Sequence, residues 1–209
     1  MNNTFKKQKT PALLKGHGIP NFKEITPLQV NNYIPILIED LSNQFTQLEQ
    51  NLEKKINRNE YFLWDEIMTP LHLLSERLRW SWGVVCHLNA VCNTSELRDA
   101  HAAKQPEVVR FSNRVGQSKI IYKALCLFKD QSIKGQKLNQ TQKRILKTEI
   151  LSMNQRGVGL NVPNKKAFNS TSERLAELST NFSNNVLDAT KQWSLLLTKK
   201  SNIEGLPHR

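Results

Sequence analysis

The sequence predicts an all-α fold, a bundle of long antiparallel helices with proline kinks. Three observations carry this reading. Apolar residues recur at three- and four-residue steps along most of the chain. Residues that start and stop helices fall between these stripes. No stretch alternates apolar and polar residues for long enough to form a strand. No repeat of fixed period is present either, which argues against a solenoid.

The first stripe opens at Thr26-Pro27-Leu28-Gln29. Thr26 can cap, Pro27 suits the first helical position, and Gln29 would complete a capping box. Val30, Tyr33, Ile34, Leu37, Ile38, Leu41, Phe45, Leu48 and Leu52 then define one apolar face of a helix reaching about residue 56. Pro35 lies inside it and is expected to kink or divide it. A second helix, over 65–92, has Ile67, Leu71, Leu74, Leu78, Trp82, Val85 and Leu88 as its buried face. Asn93-Thr94-Ser95 reads as a stop followed by a new cap. The third helical region, 96–128, is expected to break at Pro106. A polar loop follows at 129–138, then a helix over 140–155 that stops at Gly157. The last long helix starts near Asn164, and its seam is Phe168, Thr171, Leu175, Leu178 and Phe182, close to heptad spacing.

The 209 residues hold 30 Lys and Arg against 18 Asp and Glu, a formal charge of +12. This length suits one domain with a core of its own. No apolar run approaches the roughly 20 residues that a membrane span needs. The first residues lack the apolar stretch of a secretory signal. Cys86, Cys92 and Cys126 are odd in number and form no CxxC pair, so a reducing compartment, the cytoplasm, is expected. Positive charge gathers in 1–23, with five lysines and no acid, and in 129–166, with nine basic and two acidic residues. Neither cluster interleaves aromatic residues with the bases, so both read as solvated tails and loops rather than a nucleic-acid footprint. Residues 1–14 are expected to form a mobile tail, and 15–209 one helical lobe.

Site chemistry is sparse. None of His17, His72, His87, His101 or His208 is followed by Glu, and no two histidines lie three or four residues apart. No helix face therefore carries a zinc-binding His pair. Cys86 and Cys92 are six residues apart and face different ways on a helix, so with His87 they read as structural. Gly157 and Gly159 follow a helix rather than a strand and read as a helix stop, not a phosphate loop. Glu173 and Glu177 share a face but read as solvated. Trp64, Trp80, Trp82 and Trp193 read as packing residues. No catalytic, cofactor-binding or metal residue is assigned.

Four stretches together resemble a known family: GIPNFKEITPLQV (18–30), WDEIMTPLHLLSERLRWSWGVVCHLNAVCNTSELRDAH (64–101), FSNRVGQSKIIYKAL (111–125) and LAELSTNFSNNVLDATKQWSLLLT (175–198). They are similar, in unbroken order, to the N-terminal region of the thimet oligopeptidase and oligopeptidase A family of zinc metallopeptidases. The resemblance implies a helical lobe forming one wall of a channel that admits short peptides. It also implies that zinc is held by a His-Glu-x-x-His helix downstream of the matched region. The chain stops at GLPHR before any such motif, so it is expected to need a separate catalytic domain and to be inactive without it. The second reading is a stand-alone basic helical module that binds protein, peptide or nucleic acid. The WSLLL run at 193–197 cannot put all its apolar groups on one helical face, and a lobe built to pack on a catalytic domain should leave such groups exposed.

Overall fold

The computed structural model describes residues 10–132 and 137–205. Those residues hold six α-helices: α1 (Pro27–Asn57), α2 (Trp64–Val91), α3 (Ser95–Gly116), α4 (Lys119–Gln131), α5 (Gln140–Gln155) and α6 (Val162–Gln192). Three short 3-10 turns accompany them and no strand occurs among the described residues, so the expected all-α class holds.

Local chemistry fixes most boundaries. The Thr26 side chain accepts from the Gln29 N–H at 3.3 Å and Pro27 opens α1. Gln29 does not return the bond, however; its Oε1 is buried without a partner. The helix runs unbroken through Pro35, where the fully buried Ile34 and Leu37 flank the ring and hold both turns against the core. One missing N–H costs less than exposing those side chains would. Likewise α3 continues through Pro106. The expected break in that region falls instead between α3 and α4, where Gly116 ends one helix and the Ser118 hydroxyl accepts from Ile121 N–H to start the next. Asn93, at φ 47°, closes α2, and Thr94 caps α3 as its spacing suggested.

At the end of α5, Val158 N–H bonds to Met153 O at 3.1 Å and Gly157 N–H to Asn154 O at 3.0 Å. This double bond pattern turns the chain through a left-handed residue, and Gly157 has φ +83°. The polar loop begins later than expected because α4 extends to Gln131; residues 133–136 lie outside the described ones. So do residues 1–9 of the expected tail, whereas Ala12 and Leu13 pack into the core and Leu13 O accepts from Ser81 Oγ at 2.8 Å.

The first three helices alternate in direction, and α4 continues in the direction of α3. Arg77 of α2 pairs with Asp40 of α1 while Lys55, later in α1, pairs with Glu66, earlier in α2. Against α1, α3 and then α4 run parallel: Arg114 reaches Thr46 and Gln131 reaches Glu60. Last come α5 along α4 and α6 along α3, both antiparallel. The core lies among α1 to α4. It is formed by Val30, Ile34, Leu41 and Phe45 of α1 with Ile67, Met68 and Val85 of α2, Phe111 of α3, and Ile121, Leu125 and Phe128 of α4.

Candidate functional site

Two polar constellations emerge beside this core. The first joins α2 to α3. His101 is buried, and its ring stacks on Trp82 at 4.7 Å between centroids and 24° between planes. Its Nε2 faces Cys86 Sγ at 3.6 Å, and its Nδ1 is buried with no partner. Cys86 is exposed at the surface, yet partial desolvation of its thiol pushes it up to about 11, and burial pulls the His101 imidazole below its usual range. Both shifts favour the neutral forms, so the thiolate–imidazolium pair of a cysteine nucleophile is disfavoured from both sides. The pair is a packing contact with one weak hydrogen bond. Sequence reasoning placed Cys86 on α2 and His101 on α3 without bringing them together. No local signal could have done so, because they meet across two helices.

The second constellation holds α6 onto α3 through polar contacts spread along its length. Gln105 Nε2 donates to Ala176 O at 3.2 Å and to Thr180 Oγ1 at 2.9 Å. Arg110 meets Glu173 at 3.2 Å, and Gln117 Nε2 donates to Asn169 Oδ1 at 2.8 Å. Near the far end Arg98 Nη1 donates to Asp188 Oδ2 at 2.8 Å, which holds the Asp188 carboxyl below its usual range. Asn93 bonds Asn184 at 3.4 Å and accepts from Lys191 at 3.2 Å, so one residue closes α2 and receives α6. A crevice of about 470 Å³, lined by Gln105, Pro106, Glu173 and Thr180, remains between the two helices.

Most large apolar residues of α6 point the other way, while Phe168 and Leu187 are half-buried. Leu175, Leu178, Phe182 and Val186 are 63%, 46%, 71% and 48% exposed, and no α6 residue is fully buried. Thus the seam read from the sequence exists as a stripe that is half-buried at Phe168 and exposed, among the described residues, from Thr171 to Phe182. After Gln192 the helix stops, and Trp193, Leu195, Leu196 and Leu197 are exposed, as anticipated for the WSLLL run.

The remaining singled-out residues have ordinary partners. His87 lies against Phe22 at 5.5 Å, and Trp80 Nε1 donates to Gly18 O at 2.9 Å. Trp64 packs on Phe128, Glu177 pairs with Arg174, and Cys92 is exposed. Gly159 has open space around it. Among the described residues no three His, Cys, Asp or Glu are grouped to hold a metal, and no helix is long and apolar enough to cross a membrane.

Residues 34–165 match the family model of the neurolysin/thimet oligopeptidase N-terminal domain. Over 195 residues, 93% of the chain, it is 35% identical to a probable cytosolic oligopeptidase A of Arabidopsis thaliana and spans 26% of that protein. It is equally identical, over the same length, to an organellar (chloroplastic/mitochondrial) oligopeptidase A of that plant, spanning 24% of it. An oligopeptidase A of Haemophilus influenzae is 32% identical, and 27% of its length is covered. The chain therefore spans about a quarter of the length of these relatives.

Proposed function

The chain belongs to the neurolysin/thimet oligopeptidase N-terminal domain family, and from that membership we propose that it is the helical channel-wall lobe of an oligopeptidase that cleaves short peptides. In this reading the lobe shapes and restricts access to a cleft, while a catalytic portion supplies the chemistry. The single observation behind it is the match of nearly the whole chain, in order, to one quarter of each oligopeptidase A.

The residues present do not fit the family's zinc. Catalytic zinc takes three protein ligands and keeps a fourth position for water. This chain has no His pair at helical spacing, and its described residues place no such donor group together. No hydrolytic step is assigned to any residue here. The proposal places the lobe in the cytoplasm, as the name of one relative states for that protein; another relative is named as organellar.

Two measurements test the proposal. The 209-residue chain alone should retain no stoichiometric zinc and cleave no peptide. A chimera, in which this chain replaces the matching quarter of the Haemophilus influenzae oligopeptidase A, should cleave short unstructured peptides. One tightly held zinc on the lone chain, with chelator-sensitive cleavage, would refute the reading, as would a well-folded chimera without activity.

A further inference from the structure

We infer that the outward stripe of α6, made by Leu175, Leu178, Phe182 and Val186, is the surface on which the remaining three quarters of an oligopeptidase chain packs, through an apolar, uncharged face. The inference rests on the lobe reading above and names the contact that reading requires.

Geometry comes first. At 100° per residue the four side chains fall within one narrow arc of the helix, and the exposed Trp193 follows at the helix end. Leu175 to Val186 spans about 16 Å at about 1.5 Å per residue. The residues bonded to α3 and to the turns at its two ends, namely Asn169, Ala176, Thr180 and Asn184, lie on the opposite side. A helix usually buries its apolar stripe and hydrates its polar one. Here the polar side faces the lobe and the apolar side faces solvent, so this orientation is favourable only when something covers the outside.

Charge narrows the choice of surface. The molecule carries +12, yet Ser179, Asn181, Ser183, Asn185 and Thr190 flank the stripe. The charged pair nearest to it, Arg174 and Glu177, is mutually neutralised at 2.7 Å. Two competing surfaces are unlike it. The groove between α2 and α3, about 350 Å³, is rimmed by Arg79 and Arg156. The hollow between α4 and α5, about 280 Å³, has Lys129, Lys143 and Lys147 at its edge. An uncharged apolar face would desolvate those cations without pairing them, whereas the α6 stripe presents none.

Length narrows the choice of occupant. The relatives have about three quarters of their chain beyond the part matched here. A second copy is the weaker occupant. Apposing two single helix edges would bury less than the roughly 800 Å² per partner of a stable interface and would bring together two strongly positive molecules.

The test uses the chimera and the lone chain with the same substitutions, Leu178→Asp with Phe182→Asp. Because both residues are exposed, the lone chain should keep its helical circular dichroism and its melting temperature. In the chimera the same pair should lower the melting temperature by several degrees and reduce peptide cleavage about tenfold or more. Lys143→Glu with Lys147→Glu serves as the control and should leave the chimera unchanged. A chimera that melts and cleaves alike with and without the α6 pair would overturn the surface while leaving the lobe reading intact. A chimera that cleaves nothing but is still destabilised by the pair would spare the surface and refute the lobe's role. Sedimentation showing a lone-chain dimer that the α6 pair dissociates, with the chimera unaffected, would assign the stripe to a second copy and overturn the inference.

Discussion

Helices α1 and α6 are built alike and used oppositely. Each has 31 residues, a polar N-cap, a proline in the first turn and apolar side chains at three- and four-residue steps. Seven α1 residues are buried, from Val30 to Leu52, whereas no α6 residue is. What α1 offers its neighbours is an apolar face; what α6 offers α3 is Asn169, Glu173, Thr180 and Asp188. Periodicity thus reports that a helix has a face to cover. It does not report whether the cover comes from the same domain.

The largest effect that could break this contrast comes from truncating equivalent phenylalanines. Phe45 is fully buried and packs edge-on against Phe111 at 6.4 Å, so Phe45→Ala should cost about 3–5 kcal/mol. Phe182→Ala should stay within about 0.5 kcal/mol in the lone chain. Urea unfolding of both variants gives the comparison directly, and similar losses would mean that the α6 stripe is covered after all.

A smaller effect is expected where α5 hands the chain to α6. A Cβ on Gly157 would meet Leu160 Cδ1 at 2.6 Å and occupy φ +83°, so Gly157→Ala should destabilise by about 1–2 kcal/mol. At Gly159 a Cβ meets nothing within 4 Å, and Gly159→Ala should change stability by less than about 0.5 kcal/mol. Thermal melts of the two variants should separate them clearly.

The α2–α3 contact should also answer to acid. Burial lowers the His101 pKa in the folded state, while the unfolded chain titrates near the ordinary value of about 6.5. Between these values the unfolded state binds more protons, so stability falls as pH falls. This contribution is complete above about pH 6.5 and is lost progressively below it. Denaturant midpoints from pH 7.5 to 5 should drop for the natural chain and flatten for His101→Phe, which keeps the stack on Trp82 and cannot titrate. An equal slope in both chains would remove His101 as the cause.

The smallest global effect belongs to the polar attachment of α6. Arg98→Ala or added salt should speed amide exchange across the last turns of α6 while leaving α1 protected, because exposed ion pairs are screened and contribute little to global unfolding. Exchange that rises equally in both helices would deny α6 an independent attachment.

The sequence by itself determined the elements. Stripes such as Val30-Ile34-Leu37-Leu41-Phe45, caps at Thr26 and Thr94, and the turn at Gly157 are local, set by the helical period and by backbone groups within a few residues. The ordered series of motifs also carried the family. Local rules misplaced the break in the third region: Pro106 looked like the breaker, yet Gly116 and Ser118 end and restart the helix. The Gly-Gln-Ser signal was there, but a helical proline was overridden by the packing of its neighbours Val108 and Phe111. Only the tertiary structure decided that His101 meets Cys86 and Trp82, that Asn93 receives α6, and that the α6 stripe looks outward. Those facts depend on which helix lies beside which. That choice is settled by the summed packing of surfaces far apart in the chain, and no window along the sequence contains both sides of it.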